Sequence, residues 1–119
     1  MRETAELIKC LVSIESELFR FEKTYNRLLT KLEPKDINKY LSQFNWFKKS
    51  VTKALQQSGL ACVDLTNQEY DAGMALTPLN LEDFESDDKL YIQEMIQPII
   101  MLDENVIQAG TAILGRLNP

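Results

Sequence analysis

The chain contains no histidine and only two cysteines, Cys10 and Cys62, and these absences exclude much chemistry. Without His there is no imidazole base near neutral pH, no Cys–His nucleophile pair and no imidazole ligand for zinc. The cysteines lie far apart, one in a helical stretch and one in an extended stretch, with no CxxC spacing. Both are expected as small core residues, the usual place of an unpaired Cys. The four glycines do not form a phosphate-cradling loop. Apolar residues never run for the ~18 positions that a membrane helix needs, and acids sit among the bases of the first twenty residues, unlike a signal peptide. The expectation is a cytoplasmic protein off the membrane, without metal or cofactor, and not an enzyme.

The charge that is present divides unevenly. Residues 1–58 hold eleven Lys or Arg against seven Asp or Glu, a balance of +4; residues 59–119 hold two against eleven, a balance of −9. Two modules follow, with boundaries at 1–58 and 59–119. A basic half can serve nucleic acid, but here the basic residues are spread between acids along two helices, and the acidic neighbour would repel phosphate. Nucleic-acid binding is the weaker reading. The acids Glu82, Asp83, Glu85, Asp87 and Asp88 lack the glycine of a calcium loop and read as a solvated loop or helical turn.

The strongest pattern is in the basic module. Leu7, Leu11, Ile14, Leu18, Phe21, Tyr25, Leu28 and Leu32 recur at alternating spacings of four and three, which is a heptad seam. A helix over residues 7–32 would be about 39 Å long. A second row, Ile8, Val12, Phe19 and Leu29, widens the stripe toward a bundle face. One short chain cannot cover such a face, so the seam predicts pairing with a second copy, the alternative being packing inside a monomer.

Glu33-Pro34 closes this helix, because the residue before proline is pushed out of the helical region. A second helix is expected over residues 35–57, with Ile37, Leu41, Phe44, Val51 and Leu55 on one face, supported by Tyr40, Phe47 and Ala54. Ser58-Gly59 ends it, since Gly readily takes a left-handed conformation. So short a link makes the two helices an antiparallel hairpin. Trp46 falls about 200° around the helix from Phe44, in line with Lys39, Lys49 and Lys53. It is either a partner contact, as Trp often is at interfaces, or an indole buried by a bundle neighbour beneath lysine stems.

After Gly59 the period changes. Residues 60–65 read as a strand, Thr66-Asn67-Gln68 as a turn in which Asn tolerates positive φ, and residues 70–79 as a second extended segment broken by Gly73. Residues 90–102 and 106–114 are two apolar, β-branched runs joined at Asp103-Glu104-Asn105, a hairpin signal. Pro98 removes a ladder donor from the first run, which places that strand at an edge or calls for a bulge there. The fold class is therefore α+β: a two-helix hairpin that dimerises into a four-helix bundle, followed by a small β-domain.

This order of parts resembles GrpE, the nucleotide exchange factor of DnaK-type chaperones. The family pattern runs from a helix-ending Gly through a hydrophobic residue, two variable residues and Ile-Asp to a turn and Phe-Asp-Pro. Here the matching residues are Gly59-Leu60-Ala61-Cys62-Val63-Asp64, then Leu65 to Glu69, then Tyr70-Asp71-Ala72. The family's last hairpin strand, Arg-Val-Leu-Arg-Pro-Ala-x-Val-x-Val, is matched by Asn105-Val106-Ile107-Gln108-Ala109-Gly110-Thr111-Ala112-Ile113-Leu114. The resemblance implies a homodimer whose β-domains reach the nucleotide cleft of a DnaK-type ATPase, or of a divergent ATPase of that class, and expel ADP by preferring the open cleft.

Asn105 and Gln108 replace both arginines of that strand, and Gly73-Met74-Ala75 stands where the family often has His. The resemblance implies a short, divergent member without the family's long N-terminal helix. Partner contact is then expected through Met74, Asn105, Ile107 and Gln108, with Trp46 and Lys49 on the helical half, and the dimer interface through the seam from Leu7 to Leu32. Two other readings stay open: an adaptor that keeps this fold without exchange activity, and a helical nucleic-acid binder using Lys39, Trp46, Lys49 and Lys53.

Overall fold

In the computed structural model the backbone is described from residue 2 to residue 117 and the side chains from residue 4. The architecture is α+β, two helices followed by two small three-stranded sheets. The helices are α1 (Arg2–Leu29) and α2 (Pro34–Gln56). The strands are β1 (Leu60–Val63), β2 (Leu76–Pro78), β3 (Leu90–Gln97), β4 (Ile99–Leu102), β5 (Asn105–Gln108) and β6 (Gly110–Arg116), with a 3-10 turn at Leu81–Asp83. The chain divides into two compact units, Met1–Leu60 and Ala61–Pro119, two residues later than the charge break suggested.

In the helical unit, α1 stops at Leu29 rather than running to Leu32, because its last turn tightens. Lys31 N–H donates to the Leu28 carbonyl at 3.0 Å and Leu32 N–H to that of Leu29 at 3.1 Å. Glu33 is extended at φ −63° and ψ 143°, as the residue before Pro34 must be, and Pro34 opens α2. Gly59, at φ 90°, follows the end of α2 in the left-handed conformation expected of it. The helices run antiparallel, since Tyr25 meets Tyr40 and Phe44 while Glu22, earlier in α1, meets Lys48, later in α2. Phe44, only 4% exposed, is the centre of the packing. Its ring stacks on Tyr25 at 4.9 Å and lies 6.1 Å from Phe21 and 6.4 Å from Phe47.

The α2 seam has a gap between Phe44 and Val51, and Lys48 fills it. Its ammonium donates to both Glu22 carboxylate oxygens, at 2.8 and 2.9 Å. At this partial exposure the pair contributes ~0.2–1 kcal/mol. Its larger effect is on register, because sliding either helix would leave both charges unmatched against apolar neighbours.

The β unit is organised by one long hairpin that changes sheets halfway. The two apolar runs do not form two continuous strands: Pro98, fully buried, divides the first into β3 and β4, and Ala109 divides the second into β5 and β6. The tip half lies in a sheet of order β1-β4-β5, and the base half in a sheet of order β2-β6-β3. Thus β3 is an edge strand with irregular register, as a proline beside it requires. At the corner, Gln97 Nε2 donates to the Ala109 carbonyl at 3.0 Å and Gln108 Nε2 to the Pro98 carbonyl at 3.2 Å. These amides satisfy carbonyls that the broken ladder would otherwise leave unpaired. Gly110 lets the strands close here: a Cβ on it would lie 2.9 Å from the Gln97 carbonyl oxygen and 2.8 Å from Met95 Cε.

Strand β2 pairs in parallel with β6, Leu76 opposite Gly110. Beyond Pro78, Asn80 continues the ladder with its side chain, giving Nδ2 to the Leu114 carbonyl at 3.0 Å and taking the Leu114 N–H at 2.9 Å. The expected strand over residues 70–79 shrinks to β2. An Asx turn precedes it, in which the Asp71 carboxylate accepts the Gly73 N–H at 3.1 Å, and that local bond competes with the ladder. Asn67, at φ 74°, holds its turn as read, and the β4–β5 turn places Asp103 at φ 56°. The acidic stretch is the 3-10 turn and the loop after it, as expected. One expectation fails outright: Cys10 and Cys62 are both exposed. Cys10 is off the side of α1 that meets α2, and Cys62 falls on an exposed position of a short strand.

Candidate partner-binding surfaces

The eight seam residues do not act alike. Leu11, Leu18, Tyr25 and Leu32, every seventh position, are buried or half-buried. The alternate set remains in water, with Leu7 64%, Ile14 50%, Phe21 53% and Leu28 54% exposed. Tyr40, Phe47 and Ala54, also seven apart, are exposed on α2. Phe21, Leu18, Ile14, Phe47 and Val51, with Ser13 and Glu17, line an open groove of about 480 Å³ between the two helices. A heptad helix has two flanks. In α1 one flank is spent on α2, and the other continues onto α2 as an apolar face that the described residues of the helical unit leave uncovered.

The second row, Ile8, Val12 and Phe19, is half-buried and Leu29 is buried, so it belongs to the intramolecular contact. Glu15 completes that row and is buried at 4% exposure. No apolar pattern could announce a carboxylate there.

In the β unit, Asn105, Ile107 and Gln108 come together on β5, an edge strand that pairs with β4. Residues 105–107 are all exposed, so both faces of this strand meet water and the hairpin tip stands clear of the core. Gln108 is half-buried, and its amide holds the Pro98 carbonyl. It shapes the corner more than it offers a contact. Met74, half-buried, precedes β2 and is next to Ala75, whose carbonyl takes the Gly110 N–H at 2.9 Å. The hairpin has two further exposed apolar side chains that sequence reasoning did not single out, Val106 and, on β3, Ile96. Both lie in β-branched runs that look buried when alternation is the only guide.

Trp46 is 74% exposed, and no described neighbour in the helical unit buries its indole. Lys49 and Lys53 are exposed beside it, and they line a second surface groove with Asn45, Lys48, Thr52 and Gln56. Lys39 holds its ammonium 5.4 Å from the Tyr40 ring centroid.

Among the described residues, no group of three or more His, Cys, Asp or Glu side chains could hold a metal ion, and no helix is long and apolar enough to cross a membrane. What the described surface offers is contact area: an apolar helical face, a projecting β-hairpin and a Trp-centred basic stripe. No protein-family model, curated protein or solved structure matches the chain.

Proposed function

We propose that the protein is a GrpE-like co-chaperone: it dimerises through its helical hairpin into a four-helix bundle and uses its β unit to bind the ATPase domain of a DnaK-type chaperone, promoting ADP release. The observation that carries the reading is the pair of exposed seven-residue rows, Leu7, Ile14, Phe21 and Leu28 on α1 with Tyr40, Phe47 and Ala54 on α2. Two adjacent helices with one shared uncovered apolar face are half of a bundle. A second copy supplies the identical half, as an isologous interface requires. The order of parts and the residues from Gly59 onward that resemble GrpE support the rest.

The mechanism asks only for differential binding. A hairpin tip that fits the open nucleotide cleft better than the closed one shifts the ATPase toward the open state and weakens its hold on ADP. Val106 and Ile107 supply apolar contact where the family has arginines beside them, and the −9 balance of the second half favours a basic partner surface. Ile107→Asp should therefore abolish acceleration of ADP release while leaving the dimer intact. Release of a fluorescent ADP from a DnaK-type ATPase, measured by stopped flow, tests this. The wild type should accelerate release at least about tenfold, equal to ~1.4 kcal/mol. Binding without acceleration would make the protein an adaptor on the same fold. Absence of both would end the chaperone reading.

A further inference from the structure

Opposite the side of α2 that carries Phe44 runs a straight row, Lys35, Lys39, Ser42, Trp46, Lys49 and Lys53, at spacings of four, three, four, three and four. It is a heptad seam written in lysines with one indole at its centre, about 27 Å long. All six residues are exposed. Among the described residues none of the four lysines is ion-paired; the Lys48 ammonium is the one that Glu22 takes. No Asp or Glu occurs anywhere from residue 37 to residue 63, so nothing on α2 beyond Asp36 offsets this charge.

We propose that this face of α2 docks an acidic helical segment of a partner protein, with carboxylates over the two lysine pairs and one apolar side chain on Trp46. The inference deepens the partner contact expected of Trp46 and Lys49, does not depend on the β-hairpin contact proposed above, and uses a side of α2 other than the Tyr40 and Phe47 face. A central aromatic anchor with charges at both ends is the layout of a binding hot spot, where the rim excludes water and selects the partner. The row's 4-3 spacing fits another helix, whose own side chains repeat at the same interval. A lipid surface fits less well, because Ser42, Gln43 and Ser50 flank Trp46 on the helix and only one large apolar side chain could enter the acyl boundary. A nucleic acid fits less well, because α2 has no arginine for bidentate contact with phosphate or base.

Trp46 is the only tryptophan of the 119 residues, so its fluorescence reports the site directly in the intact chain. The probe is a synthetic helix of about three heptads, with Glu facing the four lysines and Leu facing Trp46. Its controls are the same peptide with every Glu changed to Gln, phosphatidylserine vesicles and a DNA duplex. The Glu peptide should shift Trp46 emission to the blue with a saturable isotherm. The Gln peptide, and the Lys49→Gln/Lys53→Gln variant with the Glu peptide, should bind at least about tenfold more weakly. Equal binding of the Gln peptide overturns the proposal, as does an absent shift up to about 1 mM Glu peptide. A larger shift with vesicles or duplex overturns it in favour of that ligand.

Discussion

Ile14→Asp should yield a protein that is folded and monomeric. In the isolated hairpin Ile14 is half in water, at the mouth of the groove beside Phe47, so the carboxylate stays hydrated and costs the fold no more than about 0.5 kcal/mol. In the dimer the same position is covered by the second copy, and the substitution buries a carboxylate from each chain. An unpaired buried charge costs several kcal/mol, and even ~4 kcal/mol in total raises the dissociation constant about a thousandfold. Helical circular dichroism should be unchanged while the sedimenting mass falls to that of one chain. If Ile14→Asp remains fully dimeric, the groove is not the interface, whatever else holds the copies together.

Phe44→Ala should have the opposite signature, a large loss of stability without a specific effect on any surface. Phe44 is buried, and the rings of Phe21, Tyr25 and Phe47 all lie against it. Removing a buried Phe costs ~3–5 kcal/mol through lost transfer energy and the cavity left behind, and the aromatic contacts contribute ~0.5–1.5 kcal/mol beyond area burial. That is a large fraction of the stability of a helical hairpin. The β unit has its own core in Ile92, Met95, Ile100 and Leu114, so it should melt separately and near its original temperature. Calorimetry should show the first transition lost or lowered by many degrees and the second in place. A single transition shifted as a whole would mean that the two units unfold together.

The helical half was legible because its signals are local. Proline at the start of α2, glycine after its end and a seam of eight residues each act within a few turns, and no distant contact is needed to read them. What the seam could not say is how its two flanks are used, since Leu18 and Phe21 look equivalent as letters and differ only once α2 is in place. Lys48 and Glu15 were missed for a related reason: a polar residue in an apolar row reads as a gap, and only the facing helix shows what fills it. The β half was legible as a hairpin at Asp103 and as an edge strand or bulge at Pro98, but not as a corner there. That the corner exchanges one sheet for another depends on pairing with β1 and β2, which are short and distant in sequence. Cys10 and Cys62 show the limit of residue-type preference, for small apolar residues are placed by the element they sit on.

The account rests on the helical face being covered by a second copy. Light scattering on the 119-residue chain as it elutes from a sizing column, at micromolar concentration in moderate salt, measures this most directly. The mass should be twice the 13.7 kDa of the chain. A single species at 13.7 kDa would contradict the account, because the two exposed heptad rows would then have no partner in the protein itself.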